Sequence, residues 1–266
     1  MIVDAQIHIW GEDRPDRPWP KAGAGGRTVQ PQRASPMSAA EALAEMDAAG
    51  VDRAILVPPS WEGDRNDLAL AAAAAHPDRF AVMGRLPKGA ALTGWRDQPG
   101  MLGARIILRN ETAIDALWGE AADAGIPMMI APAGRMKLLA LIARRNPALR
   151  IIVDHMGARV HQTGARAFAD IDHLLALAAL QNVAVKATSL PAYSDSLNTW
   201  SDVTPYLRRL YDAFGADRLF WGSDLSRLPC PYAELISFFR DRLPWLTGSD
   251  RDAVMGKAIL EWLDWQ

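Results

Sequence analysis

Residues 3–10 read VDAQIHIW, and the alternation inside them decides the fold. Asp4, Gln6 and His8 lie two apart, a spacing that sends all three to one face of a strand. An edge strand could carry such a polar face into solvent. Here, however, Ile2, Val3, Ile7 and Ile9 flank and punctuate it, so the stretch reads as buried on both sides, with polar groups gathering at its end.

Apolar runs of this kind recur down the chain, each after a helical segment or a turn-rich connection. RAILVPP (53–59), FAVMGRL (80–86), LGARIIL (102–108), PMMIAP (127–132), LRIIVDH (149–155), NVAVKATS (182–189) and RLFWGSD (218–224) read as strands. Helices are expected over residues 37–50, with Ser38 as cap and Gly50 as stop, and over residues 66–77, 112–124, 136–145, 168–181 and 203–215. A final helical pair covers residues 232–243 and 249–265. Eight strands separated by helices, with no compositional break, predict one α/β domain over residues 1–266, a single (β/α)8 TIM barrel. The competing doubly wound open sheet lacks its glycine-rich phosphate turn after the first strand. The polar, Pro- and Gly-rich residues 11–36 are too long for an ordinary connection and are expected to lie over something as a functional loop.

Composition narrows the function. The 29 basic and 31 acidic residues are interspersed and leave a formal charge of −2, so no basic stripe points to nucleic acid or to an anionic membrane. A small-molecule partner is expected, and a homo-oligomer is left open. One cysteine, Cys230, rules out an internal disulfide. Without a basic n-region, an apolar h-region or a membrane-length apolar run, a cytoplasmic location is the expectation.

In a barrel the active site forms at the C-terminal ends of the strands. Those ends carry Gln6 and His8, Arg105 leading to Arg109, Asp154 and His155, Lys186, and Asp224. Each has an ordinary alternative: a satisfied structural histidine, a lysine reaching solvent, an aspartate capping the next segment, arginines paired with Asp154 or Asp224. Five strands delivering such groups to one mouth are harder to explain that way. Trp10, Trp19 and the RPDRPWP stretch of the loop, with Trp61 and Tyr193, could wall a ring or sugar or simply plug the barrel.

VDAQIHIW, IIVDHMG, NVAVKATSLPAYS and RLFWGSDLSR resemble, in order, the signature strands of the amidohydrolase superfamily. The likeness is to the amidohydrolase-2 branch, which contains lactonases for sugar lactones and pyrone dicarboxylate. It implies a (β/α)8 hydrolase in which the strand-eight aspartate, here Asp224, activates water. The resemblance also implies two strand-one histidines on a divalent metal, yet Gln6 stands where the first should be and only His8 is kept. The fifth strand, PMMIAPAG, likewise lacks the lysine or histidine of binuclear members. His8, His155 and Asp224 would make one weak metal site, so the expectation is no cofactor, with a weakly bound divalent metal left open.

The expected chemistry is therefore a metal-independent lactonase. Asp224 would be the general base, and His8, His155 and Gln6 would polarise the carbonyl. Arg105 and Lys186 would bind a polar or carboxylated lactone, with Trp10, Tyr193 and Trp61 as further substrate contacts. The alternatives are a metal-dependent decarboxylase of an aromatic or unsaturated acid and a degenerate ligand-binding barrel.

Overall fold

A computed structural model describes residues 1–20, 31–87, 89–108, 115–196 and 199–266. Eight strands pair in parallel in chain order: β1 (Val3–Ile7), β2 (Arg53–Leu56), β3 (Phe80–Arg85), β4 (Met101–Ile107), β5 (Met128–Ala131), β6 (Ile151–Val153), β7 (Val183–Thr188) and β8 (Leu219–Gly222). This is the (β/α)8 barrel expected from the alternation. Nearly every strand residue is buried because both faces are covered. Val3, Ala5, Ile55, Ala81, Met83, Leu102, Met129, Ile152, Ala184 and Phe220 pack into one cluster inside the barrel.

Outside run α1 (Ala39–Ala49), α2 (Asp67–Ala75), α3 (Asp115–Asp123), α4 (Met136–Arg145), α5 (Gly164–Ala167), α6 (Ile171–Leu175), α7 (Thr204–Phe214) and α8 (Tyr232–Asp241). The Ser38 side chain accepts from Glu41 N at 3.1 Å, and Gly50 closes α1 in the left-handed region at φ 75°. Then come α9 (Gly248–Asp252) and α10 (Ala258–Leu263), whose Ile259 and Leu263, with Trp265, join the interior cluster and cover one end of the barrel. No helix among the described residues is long and apolar enough to cross a membrane.

Three expectations need correction. The general alternation of strands and helices fails between β3 and β4, where the sequence offers no particular helix and the described residues form only a 3-10 turn at Trp95–Asp97. Pro87, Gly89, Gly94, Pro99 and Gly100 break any helical run there, and Trp95 fills the space instead, its indole N–H donating to Gly103 O at 3.0 Å. The helix expected over residues 168–181 divides into α6 and a 3-10 turn at Ala176–Ala179, and the Arg218 guanidinium takes the carbonyls of Ala178, Leu180 and Val183. Of the helix expected over residues 112–124, the structure describes Asp115–Asp123; Arg109 and residues 112–114 lie outside the described residues, as does part of the long loop.

The third correction concerns β1. Its pairing register shifts between Asp4 and Ile7, so Asp4 does not share a face with Gln6 and His8. The cause is the Asp4 carboxylate, which accepts the Gln6 N–H two residues on at 2.9 Å. Asp4 turns into the seam between β1 and β8. There it also takes Ser223 N at 2.9 Å, the Ser223 hydroxyl, and the Tyr232 hydroxyl of α8 at 2.5 Å. Beside it Asp224 N donates to Gln6 O at 2.9 Å. Gly222 is required where the strands meet, since a Cβ there would lie 2.5 Å from Thr188 Cγ2 and 3.0 Å from Asp4 Oδ1.

Removing the Asp4 carboxylate would strand Gln6 N, Ser223 N, Ser223 Oγ and Tyr232 OH as buried donors. Asp4→Ala is expected to lower the unfolding free energy by at least about 3 kcal/mol. Urea titration of the variant beside the wild type checks this, and a loss under about 1 kcal/mol would mean that the seam closes without it.

Candidate active site

Gln6 and His8 leave β1 on the barrel side and meet Asp224, which follows β8. His8 Nδ1 lies 2.5 Å from Val57 O, and because a carbonyl only accepts, this contact puts a proton on Nδ1. Its Nε2 is left to face Asp224 Oδ1 at 2.9 Å. Gln6 Nε2 is 3.3 Å from both Asp224 Oδ1 and His8 Nε2. The other carboxylate oxygen accepts from Ser189 Oγ at 2.7 Å and lies 3.3 Å from Arg227 Nη1. Burial opposes ionisation of Asp224, but His8 and Arg227 outweigh it and hold the carboxyl well below the usual carboxylate range. Asp224 does precede the 3-10 turn Leu225–Arg227, yet its side chain makes no capping bond. Its acceptors face the barrel mouth instead.

His155 approaches from the end of β6, two strands from β8 in the ring. Its Nδ1 lies 2.7 Å from Thr188 Oγ1 and its Nε2 is 4.0 Å from Asp224 Oδ2. Burial pushes its imidazole down to about 3, against the pull of Asp224 and Asp154, so the ring is neutral near pH 7. Three strand ends share an unusual backbone: His155 (φ 50°), Ser189 (φ 58°) and Asp224 (φ 56°) are all left-handed without being glycine. Such strain persists only where the surroundings enforce it and gathers at functional sites.

Behind this centre lies a buried ion cluster. Asp154 takes Arg105 Nε at 3.1 Å on Oδ2 and Lys186 Nζ at 2.9 Å on Oδ1, and the two cations hold its carboxyl low against the opposing effect of burial. Lys186, with 0 % of its side chain exposed, also reaches Gln6 Oε1 at 2.5 Å and Met129 Sδ at 3.1 Å. Burial lowers its pKa and Asp154 opposes that shift. Gln6 Oε1 and Met129 Sδ accept hydrogen bonds from Nζ, and the Asp154 carboxylate is its ion-pair partner. Lys186 therefore lies beneath the mouth with its donors engaged. Arg105 is at the mouth, and among the described residues only its Nε is bonded.

Trp10 and Trp61 pack edge to face at 5.3 Å, and Trp61 meets the His8 ring at 6.0 Å. Both indole N–H groups are buried without a partner among the described residues. Tyr193 lies across from them, 6.5 Å from the His155 ring, with the Arg227 guanidinium over its face at 5.6 Å. The loop segment leading to Trp19 is tied down by the buried Glu62, which accepts Gly11 N and Arg17 Nη2, both at 2.7 Å. Sequence reasoning passed over Ser189, Thr188 and Arg227, although all three fall inside the stretches NVAVKATSLPAYS and RLFWGSDLSR.

The donors do not converge on a divalent cation. Gln6 Oε1 is taken by an ammonium, His8 Nε2 by a carboxylate, and no group of three or more His, Cys, Asp or Glu among the described residues is arranged around a common point. The set suits a lysine where a metal would need open ligands.

A parallel barrel with ionised aspartate, imidazoles and arginines at its C-terminal strand ends has the architecture of the barrel enzymes. The chain belongs to the Amidohydrolase family, whose sequence model matches residues 3–259. It is 29% identical over 275 residues to the L-fucono-1,5-lactonase of Burkholderia ambifaria, covering 92% of this chain and 85% of that one. A structure described as a probable 2-pyrone-4,6-dicarboxylic acid hydrolase from Acinetobacter baumannii, with citric acid bound, superposes at TM-score 0.79 with 14% identity and 99% of both chains covered. An amidohydrolase from Burkholderia multivorans with bound zinc superposes at TM-score 0.76 with 22% identity over 100% of both chains. At these identities the two structures show the shared fold.

The depressed His155 pKa links stability to pH. As pH falls below 6.5 the unfolded chain protonates this histidine while the native one, at about 3, does not, so stability present above pH 6.5 drains away toward pH 3. His155→Asn, whose side chain tolerates the left-handed backbone, is expected to flatten the decline between about pH 6 and pH 4 by about 1 kcal/mol per pH unit. Denaturant unfolding across that range measures it. Parallel slopes would show that His155 titrates normally in the folded protein.

Proposed function

We propose that this protein hydrolyses a small polar or carboxylated lactone with water activated by Asp224, and does so without a divalent metal. The observation that carries the reading is the placement of the buried Asp224 carboxyl at the strand ends, with His8 Nε2 at 2.9 Å and His155 Nε2 at 4.0 Å. The Burkholderia ambifaria relative, named a lactonase, supports the substrate class. On this reading the partner is a small molecule in the cytoplasm.

Water would sit against Asp224 Oδ2 on the side facing His155, where the 4.0 Å gap leaves the two groups unbonded. The contacts that keep Asp224 ionised also make it a weak base. A lactone carbonyl that draws the Arg227 and His8 donors toward its own oxygen both stabilises the oxyanion and releases Asp224 to accept the proton. The bond between the former carbonyl carbon and the ring oxygen then breaks as Asp224 returns that proton to the leaving ring alkoxide, giving the open-chain hydroxy acid. Neutral His155, oriented by Thr188, helps to place the water. An activated ester needs less polarisation than an amide, which is why a site of side-chain hydrogen-bond donors suffices.

Substrate charge follows from the mouth. Arg105 and Arg227 bring two positive charges to the mouth, where Asp224 is the carboxylate that faces it, and Lys186 beneath answers Asp154. Arg105 offers its two terminal nitrogens to a carboxylate or to ring hydroxyls. The unpartnered indole N–H groups of Trp10 and Trp61 suit further polar oxygens.

A panel of sugar and carboxylated lactones, assayed by acid release in excess chelator, tests the function. Turnover of at least one member is expected, with Asp224→Asn lowering kcat at least ~100-fold while melting normally. Activity restored only by added metal, or an Asp224→Asn enzyme at near wild-type rate, would overturn the mechanism.

Arg105→Met separates binding from support. It is expected to raise KM for a carboxylated lactone ~10-fold or more, with kcat and the KM of its neutral methyl ester little changed. If both substrates lose activity alike and the variant melts early, Arg105 serves only to hold Asp154.

A further inference from the structure

We propose that Lys186 is the resident cation of this site, an ammonium built into β7 that stands in for a bound metal and aims Gln6 at Asp224. The inference rests on the placement of the site residues and not on the lactone reading.

Gln6 can present either end of its amide to Asp224. Lys186 Nζ at 2.5 Å from Oε1 settles the choice, because an ammonium cannot donate to the NH2 end. The donor Nε2 is thereby turned toward Asp224 Oδ1 at 3.3 Å. The same Nζ holds Asp154 Oδ1 at 2.9 Å, so one positive charge links the ends of β1 and β6 from a position on β7. Linking oxygen ligands from separate strands through a central charge is what a metal ion would do. The cost of burying the ammonium is offset by hydrogen bonds to Gln6 Oε1 and to the Met129 thioether at 3.1 Å, and by the opposite charge of Asp154 at 2.9 Å. With Lys186 in place a divalent ion would meet a fixed positive charge at Gln6. Without it, Asp154 and Asp224 face a vacated space with excess negative charge.

Lys186 is thus a positioning residue, and metal uptake reports its role without any substrate. Wild type, Gln6→His, Lys186→Ala and the double variant Gln6→His/Lys186→Ala would be incubated with zinc, freed of excess and assayed by elemental analysis, with thermal melts taken as a check on folding. Wild type and Gln6→His are expected to retain no zinc, and the double variant about one per chain. In parallel, Lys186→Met is expected to lower kcat for a lactone substrate with KM nearly unchanged, the pattern of a misaimed Gln6 rather than of lost binding. Stoichiometric zinc in Gln6→His, or a folded double variant that takes up none, would overturn the proposal. Should the double variant fail to fold, the wild type decides: a melting temperature that rises with added zinc would show a metal site coexisting with Lys186 and overturn the proposal, and an unchanged one would support it. Absence of lactonase activity would remove the Proposed function and leave the zinc result standing.

Discussion

The Asp4 carboxylate in the β1–β8 seam is the constraint on which the site depends. A closed barrel needs its last strand to meet its first, and here a side chain supplies contacts that a regular ladder would have made. By taking the Gln6 amide it also shifts the register of β1, which frees Gln6 and His8 from the face that Asp4 occupies. By taking Ser223 N and Oγ it fixes the residue just before Asp224. Burial raises the Asp4 pKa while its hydrogen bonds oppose the shift. One carboxylate thus sets both the closure of the barrel and the relative position of the groups proposed to react.

From that seam the site is built as alternating charge. Arg227 and His8 address Asp224, Gln6 joins Asp224 to Lys186, and Asp154 joins Lys186 to Arg105. Each buried charge therefore has an opposite neighbour, the condition under which burial is tolerable. The left-handed backbone at His155, Ser189 and Asp224 bends the chain back at the ends of β6, β7 and β8, bringing the side chains inward where a straight exit would send them to solvent.

Much of the fold was legible because burial on both faces leaves an apolar signature that polar loops interrupt cleanly. VDAQIHIW, NVAVKATS and RLFWGSD carry that signature, and their ends named Gln6, His8, Lys186 and Asp224 as neighbours. Less legible was anything decided by a side chain acting on its own backbone. Asp4 looked like a member of the Gln6 and His8 face because period-two spacing contains no sign of a register shift caused by a carboxylate two residues back. The roles of Ser189 and Arg227 depend on backbone turns after β7 and β8 that composition does not announce. Lys186 was placed at the mouth because a strand-end lysine ordinarily seeks water. Its depth follows from two acceptors, Gln6 and Met129, and one counter-ion, Asp154, contributed by three other strands or their ends.

The missing helix between β3 and β4 makes the barrel wall uneven. Elsewhere each strand has a helix behind it, but here the cover is a glycine- and proline-rich connection pinned mainly by Trp95. In the ring of strands this flank lies away from the seam that Asp4 closes. Opening is therefore expected to have a direction, with amide hydrogens of β3 and β4 exchanging through local fluctuations before those of β1 and β8. The thin side can breathe without disturbing the Asp224 centre, and the molecule gains a place to yield that is remote from the groups it must keep still.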